Sequence, residues 1–325
     1  MADKIPRLFT VALAALLGAG CATTPTPQPG PQPDLSAAGA TLLVAQVRPE
    51  PATSTAISAR ANGIAAVLIG ADGPVVNADE VSRALSATPG QADLLVESFG
   101  RISLHVDARQ SDLLVVNGAV ADDTTSTGDI GPVRARAVFE ETLKVLVSRQ
   151  LVDPDGLAIV KVRTGRMMQA ETRRGGDTIK SVKEYFFEVP RIIGGVEVFG
   201  ASVTVSVHRS GRVASIRVVG PLVSASNDSF KRVLSAASLS ERARRENPSA
   251  EVTPMGLRYA WKAERADAAV LLRPRETFRV VPVTTVEERT THGRTYYVFY
   301  AVDNERESPI VWPRPNPNAT GDARK

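Results

Sequence analysis

A single cysteine, Cys21, stands in the 325 residues, and that scarcity excludes a disulfide framework and every cysteine-cluster metal site. Histidine is almost as rare. His105, His208 and His292 lie far apart in the chain, so no local histidine metal motif can be written. Aromatic residues make up 5%, and only Phe9 and Phe99 precede residue 130, which puts the richer core material in the C-terminal part. Charge of one sign is missing too. The 39 basic and 35 acidic residues leave a net +4, and the longest basic cluster, Arg242 to Arg245, is interrupted by Ala243. Nucleic-acid binders concentrate Lys and Arg on one face, so nucleic acid is not an expected partner. A nucleophile elbow, a P-loop, a G-x-G-x-x-G loop and an S-x-x-K pair are absent as well. What is present is an apolar fraction of 43% with 23% charged residues, the balance of a soluble globular chain, long enough for about two domains.

The N-terminus reads MADKIPRLFTVALAALLGAGC. Lys4 and Arg7 precede an apolar run from Leu8 to Leu17, then small residues follow. This is the pattern of a secretory signal over residues 1–20; the run is too short to cross about 30 Å of hydrocarbon, which takes roughly 20 helical residues. Gly18-Ala19-Gly20 before Cys21 resembles the lipobox of bacterial lipoproteins, and the resemblance implies that Cys21 becomes the diacylated first residue of the mature chain. An ordinary signal peptide cleaved among the same small residues is the alternative. In the resembling family Asp after the Cys favours inner-membrane retention; Ala22 stands there, which implies an outer-membrane destination. Residues 21–39 then form the lipidated Cys and a stalk, because ATTPTPQPGPQPD alternates Pro with polar residues and favours extended polyproline II.

Beyond the stalk, residues 40–120 hold apolar alternation and runs such as TLLVAQV, GIAAVLIG, DLLVESFGRISLHVD and DLLVVNGAV, which predict a small β-rich region with one helix near Asp79 to Ala87, capped by Asn77 or Asp79. The polar stretch 121–131 marks a boundary or an exposed loop. The clearest helix follows Pro132, with Val133, Ala137, Phe139, Leu143, Leu146 and Val147 near helical spacing. LAIVKV, SVKEYFFEV, VEVFGASVTVSVH and RVASIRVVG read as strands, the last two joined through Ser210-Gly211. A second helix is expected in SNDSFKRVLSAASLSERARREN, before strands in 255–263, 276–288 and 294–303. In the last of these, Tyr297 and Phe299 share one face and Tyr296, Val298 and Tyr300 the other; one face is core, the other an exposed stripe or covered by a neighbouring element. Residues 304–325 read as a disordered tail. The fold class these readings predict is α+β, with helices packed on antiparallel sheets in two helix-plus-sheet units, 132–223 and 224–303, preceded by the smaller β-rich region.

At residues 185–220 an aromatic strand with Phe186 and Phe187 leads to the corner Gly195, Val196, Val198, Phe199 and Gly200, then to His208 at a strand end and to Gly211 in the turn. This pattern resembles the FTP domain in propeptides of thermolysin-like and fungalysin-like metallopeptidases. SERARRENPSAEV followed by GLRYAWKA is similar to the PepSY domain that commonly follows it. The family's Gln before the corner is replaced by the region Glu188 to Arg191 with Pro190, and the zinc motif HExxH is absent. The likeness implies a propeptide-like module that binds a thermolysin-like metallopeptidase as inhibitor or folding aid, with the corner residues as the contact. Read without it, the three glycines serve turns and corners, Val198 and Phe199 fill a sheet face, and His208 is an ordinary, partly exposed residue.

The paired acids Asp122-Asp123, Glu140-Glu141 and Glu287-Glu288 point to different faces as neighbours in sequence do, so they predict solvated surface. The sequence therefore leads to a lipid-anchored, non-enzymatic envelope protein that binds another protein, with no catalytic residue, metal ligand or cofactor to name. A structural or assembly lipoprotein is the rival class, and an enzyme assembled from distant residues the third.

Overall fold

A computed structural model describes residues 41–49, 53–70, 75–87, 91–97, 101–107, 112–125, 128–152, 157–172, 178–193, 195–220, 223–231, 234–260, 274–282, 295–303 and 306–312. Cys21, the signal, the stalk, His292 and the pair Glu287-Glu288 lie outside them. The first described helix, α1 (Ser54–Ile69), starts where Thr53 Oγ1 accepts from the Ala56 amide and stops at Gly70, whose φ of 67° suits the left-handed cap. The apolar run 63–70, expected as β, is its second half; a short apolar run does not by itself tell a strand from a buried helix. Asn62 of α1 reaches across to the chain before α2 (Ala78–Ala87). Its Oδ1 accepts from the Val75 and Val76 amides at 2.8 and 2.7 Å, and its Nδ2 donates to the Val76 carbonyl at 2.8 Å. Asn77 Oδ1 accepts from the Asp79 amide, capping α2 as expected.

DLLVESFGRISLHVD, part of the expected β-rich region, lies in two antiparallel strands, β2 (Gln91–Glu97) and β3 (Arg101–Asp107); β4 (Asp112–Asn117) pairs with β3 and runs into the short helix α3 (Gly118–Ala121). The long helix α4 (Gly131–Ser148) has Pro132 in its first turn, where a missing amide costs nothing. Its buried stripe is Ala135, Phe139, Thr142, Leu143 and Leu146, which keeps Phe139, Leu143 and Leu146 of the expected one, with Val147 half-buried beside them, but not Val133, 82% exposed, or Ala137, also exposed. Residues 159–161 are a 3-10 turn rather than part of a strand.

The remaining strands are β5 (Arg163–Thr172), β6 (Thr178–Ile193), β7 (Val196–His208), β8 (Val213–Val219), β9 (Val223–Lys231), β10 (Ala250–Ala260), β11 (Pro274–Pro282), β12 (Tyr296–Ala301) and β13 (Ile310–Trp312). The second expected helix is shorter than predicted. α5 spans Ala236–Glu246 with Ser235 as its cap, and the residues before it form β9, which pairs with β1 (Thr41–Pro49) in a two-stranded sheet. Within the segment expected as a tail, β13 forms one edge of the main sheet.

These elements overturn the predicted architecture of helices packed on separate antiparallel sheets in an FTP/PepSY-like pair of units. Strands from all three predicted sections belong to one mixed sheet of 11 strands, in the order β13-β12-β11-β10-β7-β8-β4-β3-β2, with β6 and then β5 branching from β7. Helices are the minor component. The sheet is joined by a parallel pairing, Arg258 to Glu197, Tyr259 to Val198 and Ala260 to Phe199, between strands far apart in sequence. Local alternation sets which face a residue takes, but it carries no information on which distant strand will pair with it.

Beneath α1 and α4 lies the main core. Ile64, Phe139, Leu146, Ile102, Leu104, Val189, Val203, Val205, Ile216 and Val218 are all fully or almost fully buried in it. Phe139 of α4 stacks on Phe187 of β6 with centroids 4.9 Å apart. At the other end, Tyr300 donates to Glu246 Oε2 at 2.9 Å and Tyr296 to Asn247 Oδ1 at 3.1 Å, which fixes the end of α5 over β12. Among the described residues no helix is long and apolar enough to cross a membrane.

Candidate functional site at the fork of the sheet

The predicted corner is where the sheet divides. β7 keeps β6 along one edge, while its other edge is taken by β8 over Ser202–Val207 and by β10 over Glu197–Phe199. The changeover falls at Gly200, exposed and at φ 75°, a backbone state that a side chain disfavours. Opposite it the β6–β7 register slips: Pro190 faces Ser202, while Ile192 faces Glu197, so four residues of β7 oppose Arg191 alone. Gly220, at the end of β8, closes the fork. A Cβ there would lie 2.9 Å from that of Ala201.

Of the predicted contact residues, Gly195 turns the chain at φ 81° and is exposed. Val196 is half-buried beside Ile193, and Val198 is buried opposite Tyr259. Phe199 faces the other way. Its ring lies 4.9 Å from that of Tyr297 and 5.0 Å from that of Phe299, and β13 lays Trp312 beside Tyr297 and Ile310 beside Phe299. The two alternatives for the Tyr297–Phe299 face are thus both met in part: Phe299 is buried, whereas Phe199, Tyr297, Ile310 and Trp312 keep partial exposure. The Tyr296, Val298, Tyr300 face turns to α5.

On the same face as Phe199 runs a row of charges that sequence reasoning did not single out. Glu197 on β7, Arg258 on β10 and Arg275 on β11 are successive cross-strand partners. Glu197, whose side chain is 13% exposed, is approached by Arg258 Nε at 3.8 Å, Arg163 Nη2 at 3.8 Å and Lys161 Nζ at 3.9 Å, all beyond hydrogen-bond distance. Arg163 also meets Glu188 at 3.4 Å, and Arg275 meets Glu307 at 3.2 Å. Arg258 Nε and the Thr277 hydroxyl are buried without a hydrogen-bond partner, an arrangement that costs free energy unless something satisfies it. Beside this row the 3-10 turn projects Ile159 and Val160, the latter 95% exposed. The readable signal was the alternation Arg275, Thr277, Arg279, which places three polar residues on one face of β11; their neighbours on β7 and β10 were not readable.

The other polar grouping lies at the far end of β6 and β7. His208, read as partly exposed, is 0% exposed. Its Nδ1 faces the Ser210 hydroxyl at 2.8 Å and accepts from the Ser210 amide at 3.2 Å, which leaves the proton on Nε2, a buried nitrogen with no hydrogen-bond partner. Glu184, its cross-strand partner, accepts from the Ser206 hydroxyl. Burial pushes the Glu184 carboxyl above its ordinary range, against the Ser206 bond, and pushes the His208 imidazole below its own. The segment from α3 to α4 closes over this end: Arg209 donates to the Thr124 carbonyl at 3.2 Å, the Ile130 amide donates to the Arg209 carbonyl at 3.0 Å, and Tyr185 donates to Asp129 at 2.8 Å. Serine, imidazole and carboxylate therefore sit together but point elsewhere: Ser206 is spent on Glu184, and His208 on its own turn.

Among the described residues no three His, Cys, Asp or Glu side chains come together to hold a metal ion. Comparison of the chain with protein-family models, with curated proteins and with solved structures finds no match.

Proposed function

We propose that this chain is a lipid-anchored envelope protein that binds another protein through the face at the fork. The observation that carries the reading is Phe199. It stands at the corner that the sequence marks as a contact, beside partly exposed aromatic residues and next to cations that are held off their carboxylate. Aromatic and Arg side chains supply most of the binding energy of protein interfaces, and a sheet holds them in place before the partner arrives, which lowers the entropy lost on binding. The Ser206, His208 and Glu184 grouping supports a binding role over a hydrolytic one, because the serine hydroxyl donates to the acid and not to the imidazole. The sequence likeness at 185–220 favours a secreted thermolysin-like metallopeptidase as the partner, and the lipobox likeness favours anchoring at Cys21.

The chain from Ala22 onward, at micromolar concentration, is expected to slow a metallopeptidase secreted by the same organism, and Gly200→Val to weaken that effect while circular dichroism shows the fold retained. Unchanged activity of every such peptidase would remove the peptidase as partner and leave an assembly role in its place.

A further inference from the structure

Resting on the reading of the fork as a protein-binding face, we infer that the partner presents an acidic segment there, whose carboxylates complete the row Glu197–Arg258–Arg275. Around Glu197 four cations, Lys161, Arg163, Arg258 and Arg275, meet three carboxylates, Glu188, Glu197 and Glu307. Arg279 lies farther along the same face, beyond Thr277, and Glu251 beyond that. Among the described residues these cations outnumber the carboxylates, but the geometry carries more than the count. Three of them converge on one carboxylate at 3.8 to 3.9 Å, so none of the three forms a hydrogen bond to it. Carboxylates form their strong bonds with guanidinium groups at about 2.7–2.9 Å, closer than Glu197 stands to any of the three, and Arg163, 62% exposed, is open to an incoming one. Ile159, Val160 and the partly exposed Phe199 ring border the cations, so a segment that alternates acidic and apolar residues satisfies both.

The test uses the chain from Ala22 onward and two fluorescently labelled dodecapeptides of equal apolar content, one with Asp and Glu at its polar positions and one with Lys and Arg. The acidic peptide is expected to bind, the basic one not. Raising the salt from about 50 mM to about 500 mM shortens the reach of charge from roughly 14 to 4 Å and should weaken binding about tenfold or more. The double variant Lys161→Glu, Arg163→Glu changes exposed side chains and should lose binding by a similar factor; Arg258→Gln should do the same, read with a melting curve. Equal binding of both peptides, indifference to salt, or retention of binding by the double variant would each overturn the inference. So would competition by phosphatidylglycerol vesicles equal to that by unlabelled peptide, which would assign the face to lipid. If the double variant still slows a peptidase as the wild type does, protein binding stands and the acidic partner falls; if the acidic peptide binds but no peptidase is slowed, the acidic partner stands and the peptidase falls.

Discussion

Glu184 and His208 face each other as cross-strand partners on β6 and β7, both withdrawn from water. One acid and one base share that end of the sheet, and burial moves their titrations toward each other. Each then couples proton binding to stability, with opposite signs.

For His208 the folded value lies below the unfolded 6.5. Its contribution is present above 6.5 and is lost as pH falls through the folded value, because the unfolded chain then binds the extra proton. Asp123 opposes the shift, while Arg209 and Lys183 add to it. Acidification from pH 7.5 to pH 5 should therefore lower amide protection, taken relative to intrinsic exchange at each pH, first in residues 118–125, the segment held by Arg209, before β6 and β7 lose theirs. Protection lost uniformly would show that His208 is not the sensor.

Glu184 titrates the other way. Its folded value lies above 4.5, so its favourable contribution is complete below 4.5 and is lost as pH rises through the raised value. Glu184→Gln keeps an oxygen for the Ser206 hydroxyl and removes the charge, so it should raise the melting temperature at pH 7.5 and leave it unchanged near pH 4. A lower melting temperature at pH 7.5 would mean that the carboxylate is needed in its charged form.

Phe139 and Val133 lie on the same helix and separate core from surface. Phe139→Ala removes a fully buried ring stacked on Phe187 and should cost about 3–5 kcal/mol in urea unfolding. Val133→Ala, at an exposed site, should stay within about 0.5 kcal/mol. Equal costs would contradict the observed stripe.

Asn62 holds the chain between α1 and α2 with one acceptor and one donor. Asn62→Ala strands the Val75 and Val76 amides and should cost about 1–3 kcal/mol. Asn62→Asp retains the acceptor and should recover part of that loss above pH 5. A substitution to Ala without measurable cost would show that water replaces the amide.

Cys21→Ser should release the protein from membrane fractions or block its processing, since acyl chains supply about 0.8 kcal/mol of membrane affinity per buried methylene. Sedimentation with membranes after a high-salt wash would contradict lipid anchoring at that residue.

The local grammar was largely legible in the sequence. Asn77 as a cap, Pro132 at a helix start, Gly211 in a hairpin and the division of Tyr296 to Tyr300 into two faces each follow from interactions within a few residues. Errors arose where local signals are degenerate. An alanine-rich apolar run suited both helix and strand and became the end of α1, and Val133 matched the helical period of α4 yet stands at its first turn, where the helix leaves the core.

Pairing across long separations was decided by tertiary structure alone. The changeover of β7 from β8 to β10 sets Glu197 beside Arg258, and it depends on a bulge at Gly200 and on a strand that begins some fifty residues later. His208 stands at a strand end next to a turn and is nevertheless 0% exposed, with the segment between α3 and α4 tied to the neighbouring Arg209. Residue type and period determine which side of an element meets water; which distant element arrives to cover that side is a property of the whole packed chain, because burial is decided by total apolar area and by satisfied polar groups rather than by neighbours in sequence.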